Sequence, residues 1–471
     1  MKRFVLCCGW IMYAGLLAGQ ADSPATANPL TADAEAAYLK GEFEKCVELA
    51  NQAIEKNAAD HQALYLRASA RVELGQSQHD VKTIRAGIED ARESLKHIGK
   101  LEPNYYLPYL YGMTTLAQLE NRPEHAETSI KIADSLVSRE SIPPEPKSNL
   151  YYQRAVANLV LQKPEEAAKD YQAAIQLHPQ HLGARIGLAE CYIQAKAPDK
   201  ALEAFGEAVK TFPDNPLVYN NRGLFLQQQG RTKDAIADFT KAIEIDPQFA
   251  VAYTNRGFTQ LNSGKPAPAE QDFNAALEIT PDQPLIFSLR GTARLAQGNT
   301  EAALQDYLSV LKIDPQNIVA NADVGFARFF AKDYAGAQQA FDQAVTSDPK
   351  LRYLNPWRVW AATLRAQPDV VTSLTAESAG KPAASRDWVD HLNLFLVGQE
   401  TDRQLLAATK TKDPNLQNAQ MCEAYYFIAE KKQLAGDQSG AAENYRLALK
   451  TNAVNLSAYR GAQFALQQFP K

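Results

Sequence analysis

Residues 216–249 read PLVYNNRGLFLQQQGRTKDAIADFTKAIEIDPQF, and residues 250–283 read AVAYTNRGFTQLNSGKPAPAEQDFNAALEITPDQ. Laid over one another, Gly223 falls on Gly257, Gly230 on Gly264, Ala235 on Ala269, Phe239 on Phe273 and Pro247 on Pro281. Outward from this pair, proline recurs every 34 residues at Pro179, Pro213, Pro247, Pro281, Pro315 and Pro349, without an insertion from residue 148 to 351. Twelve residues before each proline stands alanine: Ala167, Ala201, Ala235, Ala269, Ala303 and Ala337. Twenty-four before it stands Ala155, Ala189, Gly223, Gly257, Gly291 or Gly325, and eight before it an aromatic ring: Tyr171, Phe205, Phe239, Phe273, Tyr307 or Phe341.

Two antiparallel helices per unit account for this pattern. Small residues on both let the backbones approach, and the ring fills the space that remains. Gly230, Gly264 and Gly298 fall where the first helix must end in a left-handed turn residue. The proline disfavours helix in the residue before it and so closes the second helix.

These positions resemble the tetratricopeptide repeat, which implies an all-α, right-handed superhelical solenoid of antiparallel helix pairs. Six regular units fill 148–351. Partly degenerate units tile 27–147, an irregular helical segment follows at 352–421, and a last unit with a capping helix occupies 422–471. Within that last segment, Cys422-Glu423-Ala424-Tyr425-Tyr426, Asn444 to Leu449 and Ala458 to Ala462 loosely resemble the end of exported bacterial repeat proteins of the NlpI lipoprotein type. That resemblance implies an envelope adaptor.

One position departs from the family pattern. Arg154, Arg222, Arg256 and Arg290 precede the first-helix small residue, and each has an aspartate sixteen residues on: Asp170, Asp238, Asp272 and Asp306. The other two regular units carry Leu188 with Ala204 and Val324 with Ala340. Charge stands at both places or at neither, so the arginines read as structural bridges between the two helices of a unit, since a half-buried guanidinium without its carboxylate is costly.

The resemblance places ligands on the first helices, which line the concave wall. Those helices offer Asn220, Asn221, Leu224, Gln227, Thr254, Asn255, Phe258, Leu261 and Ser288, with asparagines suited to a peptide backbone and apolar residues to side-chain pockets. Phe326, Phe329 and Phe330 either join this surface or bury against the next unit. Asn220, Leu224, Asn255, Leu285 and Leu289 lack the lysines that some adaptors of this family use to clamp a terminal carboxylate.

Composition excludes other classes. The net charge of −5 falls to −7 without Lys2 and Arg3, which offers nucleic acid no electrostatic footing. Lys2 and Arg3, the apolar run Phe4 to Ala18 and the small residues up to Ala21 read as a signal peptide at 1–21, too short to span a bilayer, so a periplasmic or secreted protein without a membrane span is expected. Cys46, Cys191 and Cys422 are odd in number and far apart, and read as buried hydrophobes. The seven histidines form no zinc motif, His178 and His181 falling on a turn expected to be solvated. No nucleophile elbow or phosphate loop stands in the sequence. The reading is therefore a non-catalytic scaffold without metal or cofactor, holding other proteins or peptides. The alternative is an accessory module of envelope polysaccharide synthesis or export.

Overall fold

The computed structural model describes residues 28–99, 102–454 and 456–469. The signal-peptide reading of residues 1–21 lies outside them. Among the described residues the regular elements are helices, and the chain forms two compact units, one up to Asn221 and one from Arg222.

The first unit runs α1 Pro29–Leu39, α2 Phe43–Lys56, α3 His61–Gln78, α4 Val81–His97, α5 Leu107–Glu120, α6 Pro123–Val137, α7 Pro144–Val160, α8 Pro164–Leu177, α9 Leu182–Gln194 and α10 Pro198–Thr211. Helix α11, Pro216–Gln228, carries the boundary. The second unit continues with α12 Thr232–Ile245, α13 Ala250–Asn262, α14 Pro266–Ile279, α15 Pro284–Ala296, α16 Thr300–Ile313, α17 Ile318–Phe330, α18 Tyr334–Ser347, α19 Asn355–Leu364 and α20 Pro368–Gly380. It closes with α21 Trp388–Leu396, α22 Asp402–Ala408, α23 Pro414–Leu434, α24 Gln438–Lys450 and α25 Ser457–Gln467.

The repeat chemistry explains the pairing. A β-carbon on Gly223 would lie 2.8 Å from the Phe239 ring, and one on Gly291 2.7 Å from the Tyr307 ring, so a side chain at either position would force the ring to shift. Proline opens α8, α10, α14 and α15 at a first-turn position whose amide has no partner within the helix. Between paired helices the turn residue is left-handed in every regular unit: Gln162, Lys196, Gly230, Gly264, Gly298 and Lys332. The same spacing extends once more, to Ala366 between α19 and α20.

Each unit has its own core. In the first, Tyr38, Tyr65, Leu66, Val72, Ile84 and Leu110 are buried together. In the second, Phe326, Phe329, Trp357, Trp360, Tyr426 and Phe427 form one cluster with Ala303 and Ala337 of the array. Trp357 meets Phe326 edge-on at 5.1 Å and packs at the same distance on Tyr426, which joins α17, α19 and α23. Phe326, Phe329 and Phe330 are thus core residues and not part of an open wall.

The turn at His178 and His181 differs from expectation. His181 is buried, stacks on Tyr152 at 5.0 Å, and its Nδ1 accepts from the Ala184 amide to cap α9. Burial pushes its imidazole down to about 4, so the ring is neutral. Cys46, Cys191 and Cys422 are free thiols in the interior.

Candidate functional site

Arg154, Arg256 and Arg290 form three-way junctions. Arg256 on α13 donates from Nε and Nη2 to Asp272 on α14 at 2.9 and 2.7 Å, and from Nη1 to Thr240 on α12 at 3.0 Å. Arg290 on α15 reaches Asp306 on α16 at 2.7 Å and Asn274 on α14 at 2.8 Å. Arg154 on α7 reaches Asp170 on α8 at 2.9 Å and Asp134 on α6 at 2.6 Å. Arg222 pairs with Asp238 at 2.7 and 2.6 Å. The bidentate fork holds a unit together, while the third nitrogen ties that unit to the second helix of the one before.

The sequence reading held only the first half of this junction. The second partner stands sixteen residues upstream of Arg256 and Arg290 but twenty upstream of Arg154, and it varies in type, so it leaves no visible pattern. Arg67 makes the same junction in a degenerate unit, with Asp90 at 2.9 Å and Asn51 at 2.7 Å. Arg358 stands at the arginine position with Leu374 in place of the aspartate. It turns back to Asp342 at 2.6 Å. Where Leu188 and Ala204 replace the pair, a depression of about 610 Å³ remains, lined also by Gln172, Tyr192 and Lys200.

The groove residues meet different fates. Asn220 is buried, and Asn221 donates its amide to the Leu217 carbonyl of its own helix at 2.8 Å. In the second unit Gln227 donates to the Thr259 hydroxyl at 2.7 Å, tying α11 to α13. Thr254 bonds back to the Ala250 carbonyl at 3.0 Å. Leu224, Asn255, Leu261 and Ser288 are half-buried, whereas Phe258 stays 40% exposed.

The most open part of this face is apolar. Val251, Leu285, Val319 and Tyr353 are 46%, 60%, 67% and 47% exposed and stand 34 residues apart, at the second position of successive units. Single exposed apolar residues are ordinary, but one at the same place in three consecutive repeats makes a stripe, which Tyr353 extends from the turn just before α19. On α13 the helical period puts Val251, Asn255 and Phe258 on one side, continuous with Leu261. Composition hid this stripe, because each member is one residue in 34. The signal was in the alignment: apolar side chains at 217, 251, 285, 319 and 353.

At the lower end of that face, Phe258, Leu261 and Leu289 join Tyr459, Arg460 and Gln463 around a cavity of about 120 Å³. No group of three or more His, Cys, Asp or Glu side chains suited to a metal occurs among the described residues, and no described helix is long and apolar enough to cross a membrane.

Family models of the tetratricopeptide repeat match residues 161–221, 216–249 and 239–271. With the helix pairs and their small-residue contacts, this defines an all-α tetratricopeptide-repeat solenoid. No curated protein matches the chain. Among solved structures, the Pseudomonas aeruginosa pilF protein is 22% identical over 43% of this chain and 92% of its own, with a TM-score of 0.38. PilW, described as a widely conserved type IV pilus biogenesis factor, is 23% identical over 43% and 94%, also at 0.38. YrrB, described as a repeat protein with an unusual peptide-binding site, is 20% identical over 41% and 96%, at 0.32.

Proposed function

We propose that this protein is a non-catalytic scaffold of the bacterial cell envelope, and that it holds a peptide or protein segment along the first helices of its second unit. The stripe of Val251, Leu285, Val319 and Tyr353 is the observation that carries the reading, since a repeated apolar row left open in a folded array loses free energy to water until a partner covers it. Half-buried Asn255 and Ser288 lie beside the row and suit a peptide backbone. The envelope assignment rests on the basic and apolar residues of 1–21, and an intact mass retaining those residues after expression in a bacterial host would remove it.

Selection from a displayed library of random peptides tests the binding claim. Selected peptides are expected to carry apolar side chains at regular spacing. Leu285→Asp with Val319→Asp should weaken them at least tenfold while far-UV circular dichroism and its thermal midpoint stay within error. Unchanged affinity in that double variant would overturn the assignment of this face.

A further inference from the structure

The lower half of the first-helix face is already covered, and what covers it is a piece of the same chain. Helix α25 lies against the far ends of α15 and α17. Its Phe464 ring sits 6.4 Å from the Phe330 ring and approaches Gly298 at the end of α15. A β-carbon on Gly461 would lie 2.6 Å from Tyr426 and 2.8 Å from Phe330, so α25 comes this close only because that residue is glycine. We infer that α25 is a displaceable internal occupant of the groove, standing where a partner's amphipathic helix docks.

Four features separate α25 from a fixed part of the core. Its fully buried residues are Ala458, Gly461 and Ala462, all small, whereas neighbouring α23 buries Tyr426, Phe427 and Ile428. Its larger apolar residues Tyr459, Phe464 and Leu466 pack against that core but are only partly buried. Gly461 stands inside the helix, where glycine weakens helical order. The helix has no side-chain cap at its start. The Nε of Arg460 is buried with no hydrogen-bond partner, a cost that a seated core helix does not normally carry. A left-handed residue, Asn452, follows α24.

The contacts also specify what could replace it. A competing helix needs an aromatic side chain against Phe330, a small residue facing Tyr426, and a cation near Asp323 of α17, whose carboxyl burial pushes up to about 6 and the charge of Arg460 draws back. The cavity between α25 and Phe258 continues the covered half into the open stripe, so one partner could occupy both. This inference rests on the proposed groove function, but its test reads α25 directly.

The experiment uses the full chain and a fluorescent synthetic peptide of residues 457–469. Wild type should bind the peptide undetectably at micromolar concentration, with the amides of α25 protected from hydrogen exchange. Gly461→Leu should drive α25 off Tyr426 and Phe330, speed exchange of its amides at least 100-fold, leave those of α15 and α17 protected, and bind the peptide at micromolar concentration. Phe464→Asp provides the same release without a larger residue at the close contact. The inference is overturned if neither variant frees α25, if α15 and α17 lose protection with it, or if the freed face does not take the peptide. Leu285→Asp with Val319→Asp leaves α25 exchange unchanged, so a failure of the stripe and a failure of α25 register in different measurements.

Discussion

Asp306 shows how much one carboxylate can organise. It accepts from Arg290 on its own unit's first helix and from Arg294 at 3.0 Å, and Arg290 in turn reaches Asn274 in the preceding unit. Both arginines are four-fifths buried at the side chain, so Asp306→Ala leaves Arg290 without its carboxylate and Arg294 with Glu270 alone, and should cost about 3 kcal/mol in urea unfolding. The protein contains its own remedy: Leu188 with Ala204 fills the same two places in another unit. Arg290→Leu on top of Asp306→Ala should therefore recover at least half of that loss, with Arg294 keeping Glu270 at 2.8 Å. A double variant as unstable as the single one would refute the idea that charge and apolar packing are alternative solutions here. This pairing was legible in the sequence because both partners keep their type and their spacing. The third contact was not, because Thr240, Asn274 and Asp134 share neither a chemical type nor, for Asp134, the same spacing from the arginine.

At the scale of the helix pair, the left-handed turn residue decides how sharply the two helices reverse. Three regular units place glycine there, and Gln162, Lys196 and Lys332 adopt the same backbone at φ 58, 55 and 64 with a side chain attached. A β-carbon in that conformation costs about 1 kcal/mol. Lys332→Gly should accordingly raise stability by roughly 0.5–1 kcal/mol, and Gly264→Ala, at φ 73, should lower it by about the same amount. Denaturant midpoints of the two variants check the sign, and a destabilised Lys332→Gly would show that unfolded-state entropy outweighs the strain. The turn glycines were evident from the alignment. Their non-glycine equivalents, including Ala366 beyond the regular array, were not, since lysine, glutamine and alanine announce no turn by themselves.

For the whole molecule, two compact units in a repeat chain predict unfolding that is not all-or-none, because each repeat is stabilised mainly by its neighbours. Trp357, Trp360 and Trp388 all lie in the second unit, and Trp10 is the fourth tryptophan of the chain. In a chain beginning at Asp22, tryptophan emission thus reports the second unit alone, while far-UV circular dichroism reports both. The two signals should give distinct midpoints in guanidinium chloride. Coincident curves would mean that the units unfold as one.

The sequence by itself determined the helices, their pairing, the 34-residue step and the arginine to aspartate forks within a unit. All of these depend on contacts between residues a few turns apart, and a repeat prints such contacts several times over. Only the tertiary structure decided which parts of the first-helix face remain open. Phe330 packs against Phe464, 134 residues further on, and of the asparagines suited to a peptide backbone Asn220 is buried and Asn221 hydrogen-bonded to its own helix, while Val251, Leu285, Val319 and Tyr353 stay in water. Exposure is set by what folds over a surface, and the helix that folds over this one stands outside the repeat that the sequence displays.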